Sequence, residues 1–179
     1  MRCFFAIPIA GEAARTLAGA LGDWRRQQSA IRWEAPEALH LTLQFVGSWP
    51  DARVPDLAAA LADWSWDAFT LTIAGLGAFP HLRRPRVLWA GVAASPELNA
   101  LAADLGRRLS PLGIEREHRA FTPHISLARF ESGQRPQAAA RAWGACPVTE
   151  FCLYETLPAA APATRYPIRH HFPAHGAAP

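Results

Sequence analysis

A chain of 179 residues, half of them hydrophobic and 18% charged, has the composition of a globular protein long enough to bury one core. A net charge of +3 is too small for a dedicated duplex binder, and no apolar stretch approaches the ~20 residues of a membrane span. Three cysteines without a C-x-x-C spacing argue against a disulfide framework and read as buried thiols, so a soluble, cytoplasmic protein is expected.

The opening "MRCFFAIPIA" lacks the pattern of a cleaved leader and reads as a buried strand over 2–9. Ala14, Leu17, Leu21 and Trp24 recur at helical spacing, which predicts a helix over 11–28. "IRW" is a short extended piece, and Pro36 turns the chain before an alternating strand over 39–46. Val54, Leu57, Leu61 and Trp64 mark a second helix. Strands follow over 68–76 and 86–92, separated by the turn-rich "GAFPHLRRP". Ser95-Pro96-Glu97 is a strong helix start, and Gly113 a stop. "FTPHISLARF" predicts a strand, 136–143 a short helix, 148–156 a strand and 165–172 a last strand, with 174–179 a flexible tail. Helices interleaved with hairpin-like strands make the class α+β, in a single domain over 1–179. No Gly-rich phosphate loop follows any strand, which excludes a dinucleotide fold or P-loop.

One pattern occurs twice. "HLTLQF" starts at His40, and "HISLARF" starts at His124. Side chains alternate along a strand, so His40, Thr42 and Gln44 share one face and Leu41, Leu43 and Phe45 the other. His124 and Ser126 pair in the same way, backed by Ile125 and Leu127. Each strand offers an imidazole beside a hydroxyl on a stiff mount. If the strands lie side by side, two imidazoles form an acid/base pair and two hydroxyls can hold phosphate oxygens. A single His-x-Thr means little. Metal binding by two histidines is the rival, but no Asp, Glu or Cys lies within two residues of either.

These paired motifs resemble those of the two-histidine (2H) phosphoesterase superfamily, and more closely its RNA 2′,3′-cyclic phosphodiesterases, the 2′-5′ RNA ligase-like proteins. The resemblance extends to "RCFFAIPI", "RWEAPEALHLTLQFVG", "LGAFPHLRRPRVLWAGV", "FTPHISLAR" and Tyr166. It implies two pseudo-symmetric lobes, each an antiparallel sheet with helices on its outer side, and an active-site cleft between them. It implies hydrolysis of RNA 2′,3′-cyclic phosphates to 2′-phosphates with no cofactor or metal, and in some members 2′-5′ ligation. His40 and His124 would be the general acid and base, in an order the resemblance leaves open. Thr42 and Ser126 would hold phosphate, with Arg129 adding charge. The partners implied are RNA ends or nucleotides bearing a cyclic phosphate, with no membrane, no obligate protein partner and a monomeric state. A third reading, of a different class, is a non-catalytic RNA module that only grips phosphate.

Two positions depart from the pattern. Ser126 stands where threonine is commoner. Arg129 has the wrong parity to share a face with His124, unless the strand ends or bulges after Leu127. All 18 basic residues are arginine, a fork suited to phosphate. Arg83 and Arg84 read as a solvated loop, with Arg86 open. Trp24 and Trp64 read as core, whereas Trp33, Trp89 and Phe121 could be core or stack a base. His81 and His118 read as loop residues. His170, His171 and His175 read as surface histidines rather than a metal cluster.

Overall fold

The computed structural model describes all residues except 116–119, 132, 158–160 and 177–179. In chain order it runs β1 (Arg2–Pro8), α1 (Gly11–Gln27), β2 (Arg32–Trp33), β3 (His40–Ser48), α2 (Val54–Ala59), β4 (Phe69–Phe79), β5 (Val87–Val92), α3 (Pro96–Leu109), β6 (His124–Arg129), β7 (Ala142–Val148), β8 (Glu150–Glu155) and β9 (Ile168–Pro173). The class is α+β, as the residue pattern implied.

The strands form one antiparallel sheet in the order β7-β4-β5-β6-β3-β1-β8-β9, with β2 added to β6. Its two halves have mirrored connectivity. β1-α1-β3 in one corresponds to β5-α3-β6 in the other, and the motif strands β3 and β6 meet at the centre. They are joined through a single ladder pair, Leu41 with Ile125. On either side of that pair the halves part, which opens a cleft.

The main core lies on the helical face, where Phe5, Ile7, Leu41, Ile125 and Leu127 are fully buried. α1 seals the β7 edge: Trp24 meets Trp143 edge-on at 5.8 Å, and the Ala145 N–H donates to Glu12 Oε2 at 3.1 Å. α3 packs behind β3, its start fixed by Ser95 Oγ accepting from Leu98 N–H, and the 3-10 turn Ser110–Leu112 that follows it is closed by Gly113 at φ +81°. The opposite face carries a smaller cluster of Phe4, Ala6, Cys152 and Tyr154, with Tyr166 packed on it. All three cysteines are buried and unpaired. Among the described residues no helix is long and apolar enough to cross a membrane.

The expected helix over 136–143 does not form. Instead β7 occupies 142–148, and the strand expected over 148–156 begins at Glu150. Residues 136–141 take neither helix nor strand, and β7 carries a bulge at Trp143, between the Ile73 and Ala74 partners. The expected tail at 174–179 starts with buried Ala174, whose N–H bonds Thr149 O, and His175 N–H bonds Trp66 O; 177–179 lie outside the described residues.

Candidate active site

The Leu41–Ile125 pair sets the geometry of the cleft floor. Carried one residue outward, its register puts His40 opposite Ser126 and Thr42 opposite His124. Leu41 and Ile125 point into the core, so these four side chains share the open face. The two histidines occupy one diagonal of the square and the two hydroxyls the other. Diagonal neighbours stand about 7–8 Å apart, which leaves space between the rings for a phosphate.

Both motif strands bulge at the same leucine. β1 pairs Ala6 with Thr42 and then Phe5 with Gln44, so Leu43 is the extra residue. β5 pairs Trp89 with Ser126 and then Leu88 with Ala128, so Leu127 is extra. Each bulge reverses the parity of the residues beyond it. Arg129, opposite Val87, thereby returns to the face of Ser126, which resolves its apparent misfit. The same device overturns the alternation read from "HLTLQF". Gln44 pairs with Phe5 and is buried, its Nε2 donating to Glu115 O, while Phe45 faces the cleft and is 61% exposed. Phe45 and Arg129 therefore hold equivalent places in the two halves.

The histidines are oriented alike. His40 Nδ1 lies 2.7 Å from Ala38 O, and His124 Nδ1 lies 2.8 Å from Thr122 O. A carbonyl only accepts, so each Nδ1 carries the hydrogen and each Nε2 is left for chemistry. Their surroundings differ. His40 is half-buried among Phe4 (4.9 Å), Tyr166 (4.9 Å) and Tyr154 (5.7 Å). Loss of water there pushes its pKa down to about 4, against the pull of the Ala38 carbonyl; positive charge on Arg129 and His124 adds to the drop. His124 meets Phe79 edge-on at 4.9 Å and Trp89 at 6.2 Å.

Comparison with known proteins places the chain in a family. Residues 13–159 match the family model of the 2′-5′ RNA ligase superfamily. The chain belongs to that superfamily. A curated relative from Geobacillus stearothermophilus, named RNA 2′,3′-cyclic phosphodiesterase, is 33% identical over 135 residues, covering 74% of this chain and 43% of the relative. One of the same name from Escherichia coli K12 is 31% identical over 157 residues, covering 86% of this chain and 85% of the relative. The chain thus spans under half of the Geobacillus protein. Among solved structures, one from Thermus thermophilus superposes with a TM-score of 0.81 at 28% identity, covering 98% of this chain and 99% of that one. E. coli LigT, solved with 3′-AMP, gives 0.78 at 30% identity, covering 97% and 98%.

In this superfamily member a cavity of about 760 Å³ adjoins the Thr42/His124 end of the square, lined by Phe45, Phe79, Phe121 and Asn99 among others. Sequence reasoning left Phe121 open and missed Phe45 and Phe79; the first was hidden by its bulge. Trp89 lies on the cleft face opposite Ser126, its indole N–H buried without a partner among the described residues. Gly77 makes room for that ring, since a Cβ there would collide with it. Trp33 is core, stacked on Trp24. Arg83, Arg84, Arg86 and His81 are exposed, and His118 lies outside the described residues. His170, His171 and His175 are also exposed. Among the described residues the group close enough to hold a metal is Glu150, Cys152 and His171, which includes neither motif histidine.

Proposed function

We propose that the protein hydrolyses RNA 2′,3′-cyclic phosphates to 2′-phosphates with two histidines and no metal. The observation that carries this reading is the asymmetry of two like-oriented imidazoles. Burial keeps His40 unprotonated at neutral pH, so its Nε2 accepts a proton from the attacking water. As the new P–O bond forms, the P–O3′ bond breaks in line, and His124 Nε2–H protonates the departing 3′-oxygen. The product is a 2′-phosphate with a free 3′-hydroxyl. Thr42 and Ser126 donate to the non-bridging oxygens, and Arg129 offsets the charge that builds there. Phe45 offers the nucleobase an exposed ring.

The names of the curated relatives support this reaction, and the solution of E. coli LigT with 3′-AMP and with phosphate supports a site for a ribose phosphate. The superfamily's description favours a second reading on the same machinery, in which a ribose 5′-hydroxyl replaces water and a 2′-5′ linkage forms. One assay separates them: an oligonucleotide ending in a 2′,3′-cyclic phosphate is incubated with the protein in excess EDTA. The expected product is a 2′-phosphate end. A 3′-phosphate end, or loss of turnover on chelation, overturns the mechanism, and joined strands favour ligation.

A further inference from the structure

A second cavity, of about 470 Å³, is lined by Arg129, three residues past Ser126 on β6. Its character is opposite to the first. Arg25, Arg32, Arg129 and Arg165 line it, against the carboxylates of Glu34 and Glu37. Glu34 is buried and holds two of the forks, Arg129 Nε at 3.4 Å and Arg165 Nη1 at 4.0 Å from its oxygens. Arg25 Nη2 is spent on the Glu34 backbone carbonyl at 2.8 Å. Four cations against two anions leave positive charge in surplus. Arg165 Nε–H is moreover buried and bonded to nothing among the described residues. An orphaned guanidinium donor is costly to bury, and its fork stays charged beside the cavity that Arg165 lines.

Arg129 belongs to both places: its β6 position faces the square, and its side chain lines this cavity. Arg129 is thus the residue that the arginine chamber shares with the motif strand β6. Building on the reaction proposed above, we infer that the arginine chamber binds a second phosphate of the substrate, the 5′-phosphate of the nucleotide whose ribose carries the cyclic phosphate. The substrate class is then an RNA end of two or more nucleotides, or a 5′-phosphorylated nucleotide, in preference to a bare nucleoside cyclic phosphate. The ion pairs of Glu34 would serve to hold the forks apart and preset for that group.

The test adds one phosphate and changes nothing else. Binding of adenosine 2′-monophosphate and adenosine 2′,5′-bisphosphate is measured by calorimetry on wild type, Arg165→Ala and Arg32→Ala. Wild type should bind the bisphosphate about tenfold tighter, the scale of one charge-assisted contact. The preference should shrink with added salt and fall severalfold in each variant. Equal affinities in wild type, or a preference untouched in both variants, overturn the subsite. Affinity for the monophosphate reports whether each variant still folds, and Arg32, on the exposed edge strand β2, covers the case in which Arg165→Ala does not. Turnover of adenosine 2′,3′-cyclic phosphate by the same wild-type protein tests the reaction separately. Absence of turnover on a 2′,3′-cyclic-phosphate oligonucleotide as well sinks the hydrolase, while the affinity ratio still decides the subsite.

Discussion

The two motif strands are built alike and finished differently. β3 and β6 each present histidine, hydroxyl and a bulged leucine, and each histidine donates from Nδ1 to the carbonyl two residues before it. Past the bulge they diverge. β3 puts Phe45 into the cleft where β6 puts Arg129. His40 sits in a box of three rings, while His124 stands at the mouth of the larger cavity. A repeated chassis suits a phosphodiester, whose attacking and leaving oxygens lie on opposite sides of phosphorus. In the proposed reaction the two imidazoles take opposite roles, and the burial of His40 is the difference between the halves that would set them.

Removing either imidazole should have the largest effect, because the halves cannot substitute for each other. His40→Ala and His124→Ala should each lower kcat about 10²–10⁴-fold on a cyclic-phosphate oligonucleotide, with circular dichroism unchanged. If either variant keeps full rate, the division of labour is wrong. The divergent pair should show a smaller and split effect. Arg129→Ala should act mainly on kcat, by about tenfold to a hundredfold, since its charge meets the transition state. Phe45→Ala should act mainly on KM, by about tenfold, the lower range of a base–aromatic contact. Steady-state kinetics on one substrate reads both, and identical kcat and KM changes for the two would erase the distinction.

The legible part of this molecule was the periodic part. Strands and helices with clean spacing, the Ser95 cap and the His/hydroxyl pairing all followed from side-chain period and local chemistry. Most of the bulges did not, because an inserted residue is set by the partner strand; the parity of Arg129 alone hinted at one. The bulge at Leu43 accounts for reading Gln44 on the His40 face and Phe45 on the other, whereas the bulge at Leu127 is the one that the parity of Arg129 had allowed for. The environment of His40 was also hidden. Phe4, Tyr154 and Tyr166 come from β1, β8 and the segment before β9, and only tertiary pairing gathers them.

That box can be opened without touching the site's own residues. A base must be unprotonated to act, so activity is present above the pKa of His40 and lost as pH falls through it. With that pKa held at about 4, the acid limb of kcat/KM should lie well below the ordinary histidine value near 6.5. Tyr166 meets the His40 ring edge-on at 4.9 Å, and Tyr166→Ala would admit water to that ring. Rehydration favours the imidazolium, so the acid limb should move up toward 6.5 while the rate at pH 8 changes little. Phe79→Ala strips the equivalent ring from His124 and should leave that limb where it is. A wild-type limb already at about 6.5, or one that follows Phe79 instead of Tyr166, would reverse the assignment of base and acid. The difference between the halves would then lie in the hydrogen bonds they make to substrate, not in the burial of one ring.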